Sequence, residues 1–292
     1  MYQQLIDQFI QSERLPTTYG SDARQFFVPL FEDIKEAIRA SERRPFMLGI
    51  NGAQGTGKST LAKLLCTLLE EDGFRVANLS IDDFYYSKAR RLKLASNVHP
   101  LLSSRGVPGT HDVELALKIM QQLAGAGAEE RITLPGFDKA VDDCLPREAC
   151  TQVQGPIDLI ILEGWFVGVR PQSTSELAEA ANDLEKIEDK DARWRNYVND
   201  ALSADYQPLF SELNMLVMLA APGFEQILEW RSLQEEKLRR RAAAGASGLM
   251  DRQSIERFIA HFERLTRHCL STLPKSADRV YRLDAQHRIH LP

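Results

Sequence analysis

Apolar residues fall along this chain in two kinds of pattern, and their order predicts a fold. Through residues 1–43, Phe31, Ile34 and Ile38 recur at the spacing of one buried helix face, so this stretch is expected to be a helical extension capping the main domain. Pro45–Ile50 is a short apolar run without alternation, as a parallel strand buried on both faces requires. After a glycine-rich turn, Leu61, Leu64, Leu65, Leu68 and Leu69 stripe one face of a helix that Gly73 closes. Arg75–Ile81 reads as a second strand. Strand, loop, helix and strand in that order make a right-handed βαβ unit.

Apolar runs at Ile157–Leu162 and Leu213–Ala221, the latter stopped by Pro222, predict a third and a fourth strand. Between them, at about 164–212, lies a polar insertion with helical stretches over Ser175–Glu188 and Asp191–Leu202. Phe224–Arg241 reads as a helix that turns strongly basic. The small-residue run Ala242–Gly248 after it reads as mobile. Asp251 is placed to cap the next helix, in which Ile255, Phe258, Ile259, Phe262 and Leu265 form a core stripe. Arg279–Leu283 is the last expected strand. The expected architecture is α/β: a parallel sheet flanked by helices in one domain over 44–292, carrying the extension, the insertion and the basic helix.

Composition narrows the function. With 292 residues, 43% hydrophobic and 26% charged, the chain is an ordinary globular one with room for a sizeable core. A net charge of −5, from 36 basic and 41 acidic side chains, lacks the broad positive field of a nucleic-acid binder. No window reaches the ~18 apolar residues of a membrane span, and no basic segment leads an apolar one near the start, so a cytoplasmic protein is expected. Cys66, Cys144, Cys150 and Cys269 form no C-x-x-C pair, and the six histidines form no H-E-x-x-H. Reduced thiols and no protein-built metal cage are expected.

The chemistry concentrates at Gly52-Ala53-Gln54-Gly55-Thr56-Gly57-Lys58-Ser59, which satisfies G-x-x-x-x-G-K-[ST] between an apolar strand and a leucine-striped helix. Glycines let such a loop curl so that backbone N–H groups converge on phosphate, and the helix adds its positive end. Gly52, Gln54, Gly55, Thr56, Gly57, Lys58, Ser59 and Thr60 are therefore the expected nucleotide contacts. Lys58 would reach the β- and γ-phosphates and Ser59 would offer its hydroxyl to Mg²⁺. Glu163, at the end of the apolar run Ile160–Leu162, is the second expected metal ligand. ATP and Mg²⁺ are the cofactors this implies. The chain has neither an N-K-x-D guanine-reading sequence nor an L-S-G-G-Q transporter signature.

Ser80-Ile81-Asp82-Asp83-Phe84-Tyr85-Tyr86 then places two carboxylates at the end of the second strand, where ligands of open α/β sheets bind. Neighbours on a strand face opposite sides, so one can serve chemistry while the other orders the loop. Which of the two does so stays open on the residues alone.

The S-x-D-x-F-Y pattern after a P-loop resembles the superfamily of uridine kinase, pantothenate kinase and phosphoribulokinase. Gly106–Asp112 (GVPGTHD), Leu134–Asp143 (LPGFDKAVDD), Leu162–Gly168 (LEGWFVG) and the W-R-x-x-Q-E-x-K-L-R pattern over 230–239 resemble the D-glycerate 3-kinase family of plant type with its bacterial and fungal relatives. The similarity runs over most of 44–292. It implies ATP, Mg²⁺ and phosphoryl transfer to a primary hydroxyl of a small, anionic hydroxy acid. Asp82 matches the superfamily's base, whereas Asp83 occupies a position that varies between its branches. Asp83, Tyr85, His111, Asp112 and Lys139 fall in segments that line the acceptor pocket. Arg231, Lys237, Arg239, Arg240 and Arg241 lie where the superfamily has its lid, which the resemblance implies at about 224–250, with Arg231 the cation carried over to catalysis. Plainer roles stand beside these: Lys139 as a solvated loop lysine, Asp112 as the cap of a helix over Val113–Leu123, Trp165 as packing rather than a pocket wall. Two other functions remain open, a kinase for a nucleoside, pantothenate or another hydroxy acid, and a regulator that hydrolyses ATP slowly.

Overall fold

The computed structural model describes residues 2–241 and 252–290, with backbone alone at 234–241 and 253. Strands β1 (Phe46–Gly52), β2 (Val76–Ser80), β3 (Leu159–Gly164), β4 (Met215–Ala220), β5 (Arg279–Leu283) and β6 (Ile289–His290) form one sheet in the order β6-β5-β4-β1-β3-β2. The first five pair in parallel, and β6 runs antiparallel to β5 as a short edge that no apolar pattern announces.

The unbroken apolar runs have a direct cause. Phe46, Leu48, Ile50, Leu159, Ile161, Val217 and Leu219 point into one core, while Met47, Ile160, Leu162, Met218 and Ala220 point into the other. Successive side chains of a strand leave on opposite faces, so a sheet covered on both sides needs apolar residues at every position. The first core holds the leucine stripe of the helix Lys58–Glu71, with Leu64, Leu65, Leu68 and Leu69 fully buried. Truncation there, as in Leu65→Ala, is expected to cost about 2–5 kcal/mol. The second core holds the helix Val113–Gly125 and part of the insertion. The helix Arg252–Thr272 serves both, with Ile255 and Ile259 in one core and Phe262 and Leu265 in the other.

The N-terminal helices Gln3–Ser12 and Val28–Ala40 lay Ile6, Phe9, Leu30, Phe31, Ile34 and Ile38 into the same core as the Lys58–Glu71 stripe. Buried Lys35 reaches Asp72, at the end of that helix, over 2.5 Å. Asp22 holds Arg288, in the turn before β6, through both carboxylate oxygens.

Several expected limits move. The third strand begins at Leu159 and runs to Gly164, which adds Glu163 to the strand and takes Gly164 out of the insertion and into the sheet. The helical stretch expected over 175–188 is broken into Thr174–Leu177 and Asp183–Glu188, each with its own cap. The second strand ends at Ser80, and Ile81–Phe84 is a turn of 3₁₀ helix. Asp82 and Asp83 therefore do not alternate across a strand. The chain bends there because it must pair with the 106–112 loop, through Tyr86 N–H to Thr110 O and Asp112 N–H to Phe84 O. Asp251 and the run Ala242–Gly248 lie outside the described residues, as do the side chains of Lys237, Arg239, Arg240 and Arg241.

Candidate active site

The carboxyl ends of β1, β2 and β3 meet at one edge of the sheet, with Ser80 opposite Glu163 in the β2–β3 register. From β1 the chain enters the loop Gly52–Gly57 and then the helix beginning at Lys58. Gly55 and Gly57 take φ of +85° and +89°, which side chains with a Cβ rarely adopt. At Gly55 a Cβ would also lie 3.0 Å from Trp230. Thr56 is buried and ties the loop to itself through Ala53 O at 2.8 Å.

Outside this loop, His287 donates from Nε2 to Gly55 O at 2.8 Å and stacks on Trp230 at 4.1 Å between ring centroids. Trp230 in turn donates to Ala285 O. Its neighbour Arg231 is half-buried on the same helix, Phe224–Arg241, so the candidate lid begins against the phosphate loop.

Ser59 donates to Glu163 Oε1 at 2.8 Å, and Lys58 Nζ stands 3.8 Å from Glu163 Oε2. That second oxygen is buried and has no hydrogen-bond partner. An ionised carboxylate oxygen left so is costly unless something positive meets it. A hydroxyl and a carboxylate side by side suit Mg²⁺, which takes hard oxygen ligands and keeps several waters. Ser59 and Glu163 thus fit the metal expected from the sequence. Gln54 has a buried side-chain oxygen without a partner, and Thr60 is half-buried on the first turn of the helix.

Across from Lys58 stands Asp82. Its Oδ1 accepts from Tyr85 Oη at 2.8 Å and its Oδ2 from Lys139 Nζ at 2.6 Å. Burial alone would raise this carboxyl, but Lys139, Lys58 and the two hydrogen bonds outweigh it and hold the group down at about 2. Asp83 goes the other way: burial first, then the charge of Asp82, push it up to about 6. The two neighbours are separated by environment. One is fixed as a carboxylate, and the other takes up a proton near neutrality.

Tyr85 stacks on His111 at 4.4 Å, which brings the 106–112 loop beside Asp82. Asp112 is engaged elsewhere: one oxygen caps the helix Val113–Gly125 at Leu115 N–H and the other pairs with Arg90. Trp165 is buried, donates to Gly106 O and packs edge-on against Phe166 and Phe262, under the loop rather than in an open wall.

Arg91, Arg105, Tyr206 and His287 were not singled out by pattern. Arg91 lies in a helix, Lys88–Asn97, that is polar nearly all round, yet it is 1% exposed. Its guanidinium donates to the carbonyls of Tyr86, Ser103 and Asp142, and pairs with the Asp142 carboxylate. Arg105 grips the same carboxylate. Together they anchor the turn that carries Lys139. The one available signal was position, since Arg105 directly precedes the GVPGTHD run.

Fold and site together define a P-loop kinase that moves a phosphoryl group from ATP to a hydroxyl. Comparison with known proteins agrees. No family model matches the sequence. The chain is 35% identical over 237 residues to the uncharacterized kinase mug58 of Schizosaccharomyces pombe, covering 76% of this chain and 79% of that protein. It is 23% identical to the chloroplastic D-glycerate 3-kinase of Arabidopsis thaliana, across 97% of this chain and 64% of that protein. The solved structure of D-glycerate 3-kinase from Cryptococcus neoformans superposes with a TM-score of 0.73 over 91% of this chain and 96% of that one, at 24% identity, and shows the shared fold. The chain belongs to the D-glycerate 3-kinase family of P-loop kinases. Among the described residues no helix is long and apolar enough to cross a membrane.

Proposed function

We propose that this kinase phosphorylates the 3-hydroxyl of D-glycerate, using ATP and Mg²⁺. The observation that carries the proposal is the Lys139–Asp82 contact at 2.6 Å. It sets an exposed, movable cation on the acceptor side of a carboxylate whose other side is under the influence of the P-loop lysine. An acceptor bearing its own carboxylate can draw Lys139 to itself, with Arg105 as a second cation at the same turn. Asp82 is then released to take the hydroxyl proton and to aim the oxygen at the γ-phosphorus.

The acceptor oxygen bonds to phosphorus as the bond to the β-phosphate oxygen breaks, ADP leaves, and the hydroxyl proton passes to Asp82. With Lys139 in place the carboxylate is held at about 2, and even when withdrawal of that cation lets it rise it is a weak base. It suffices because the loose transition state asks for orientation more than for proton affinity. Lys58 supplies positive charge to the transferring group, and Ser59 with Glu163 would hold the metal that neutralises the phosphate oxygens. Arg231 is the lid cation assigned to the same charge.

The test is an acceptor panel with purified protein. ADP release should rise above the no-acceptor rate with D-glycerate, and 3-phosphoglycerate should be the product. A response to pantothenate, a nucleoside or another hydroxy acid instead would replace the acceptor and keep the kinase. Equal rates with and without every acceptor would favour the slow ATP-hydrolysing regulator.

A further inference from the structure

The His111 ring is 2% exposed, and its Nε2 has no partner. What occupies Nδ1 decides what Nε2 is. Nδ1 lies 2.7 Å from Tyr206 Oη, and that oxygen already accepts the Gly109 N–H at 3.0 Å. A phenol has one proton and two lone pairs to distribute. With one lone pair facing the Gly109 N–H and His111 Nδ1 the other hydrogen-bond partner, the phenol proton is directed to Nδ1.

The opposite arrangement can be set beside it. Were Nδ1 protonated, the Tyr206 proton would point into a fully buried space where, among the described residues, it has no acceptor, and Nε2 would be a bare lone pair. That makes two unsatisfied buried groups in place of one, and buried polar groups are seldom left so. The neutral ring therefore carries its proton on Nε2. Burial also keeps it neutral, pulling the imidazole down to about 3.

The result is a buried N–H with nothing to donate to, on a ring stacked against the tyrosine that holds Asp82. The Asp82 charge is close enough to act on it. We infer that His111 donates this hydrogen bond to an oxygen of the acceptor substrate, and that Tyr206 is the positioning residue that fixes it as a donor. The inference rests on the kinase reading and sharpens it. At this point the pocket accepts a hydroxyl or carboxylate oxygen and disfavours an analogue that presents an ammonium or amide N–H. It also gives the insertion a task, since Tyr206 ends the helical turn Leu202–Tyr206.

Two measurements test it. In full-length protein labelled with ¹⁵N-histidine, long-range ¹H–¹⁵N correlation should show His111 protonated at Nε2 alone around pH 7, with that signal moving when acceptor is added. A proton on Nδ1, or an imidazolium, overturns the inference whatever the acceptor proves to be. In kinetics with the acceptor that the panel identifies, His111→Phe keeps a ring and loses the donor. Its kcat/KM for acceptor should fall about tenfold or more with ATP KM unchanged. His111→Gln returns an N–H and should recover most of the loss, while Tyr206→Phe should weaken acceptor binding in the same direction but less. Equal behaviour of the Phe and Gln variants would reduce His111 to packing. Should His111→Phe fail to fold, the tautomer of the unaltered protein decides. A D-glycerate failure beside turnover of another acceptor removes the substrate assignment and leaves this comparison to run on the replacement.

Discussion

Lys139 reaches Asp82 across 2.6 Å although 60% of its side chain is open to solvent. A bridge so exposed is expected to be weak on its own, so it can be exchanged for a substrate anion. Lys139→Ala should raise the acceptor KM about tenfold or more, the scale of a charge-assisted hydrogen bond. Lys139 is also the largest of the charges holding Asp82 down, so its removal lets that carboxyl rise. The acid limb of the kcat/KM profile should then move to higher pH. A variant with unaltered KM and an unmoved limb would make Lys139 a solvated loop lysine.

Asp82→Asn should lower kcat by roughly 10²–10⁴-fold, the range of a well-placed general base, with little change in ATP affinity. Asp83→Asn should cost less. Steady-state kinetics on both variants checks the order, and a larger loss at Asp83 would exchange their roles.

Asp83 makes a separate prediction for stability. Its carboxyl is raised from 3.8 to about 6, so folding favours the protonated form. The stability it contributes is complete below its unfolded value and is lost as pH rises through about 6. Asp83→Asn does not titrate. The Tm of the variant relative to the unaltered protein should therefore climb between about pH 4 and pH 7 and then level off. A difference that stays flat over that interval would show the carboxyl to be unshifted.

Lys58→Ala should abolish turnover without unfolding the protein, since it deletes a charge on the transferring phosphate and no core volume. Circular dichroism and Tm supply the control for the rate. Glu163→Gln should demand more Mg²⁺ for half-maximal activity, because it removes the carboxylate charge at a buried oxygen that has no hydrogen-bond partner. A superimposable metal titration would make Glu163 structural.

What was legible in the sequence was what short range determines. A glycine-rich loop between a run without alternation and a leucine stripe declares itself, because backbone conformation and local packing set both flanks. The two carboxylates after β2 were visible, but not the turn they sit on. That turn depends on hydrogen bonds to Thr110 and Asp112, some 25 residues further along. Arg91 looked like one more cation on a polar helix, since its burial depends on carbonyls at Ser103 and Asp142. Tyr206 lies 95 positions from His111, and His287 lies 232 from Gly55. No periodicity links residues so far apart.

The brace on the phosphate loop has a practical side. His287→Ala should raise the ATP KM and leave the acceptor KM alone, because it releases the Gly55 carbonyl from outside the loop. Trp230 lies under that histidine and against Gly55, while Trp165 and Trp194 are buried elsewhere, so the indole at 230 has the one position among the three from which loop movement is felt directly. With Trp165 and Trp194 replaced by phenylalanine, the protein carries its own optical gauge. Emission from a single natural fluorophore would track nucleotide arrival and departure in real time, on a stopped-flow instrument, without a label.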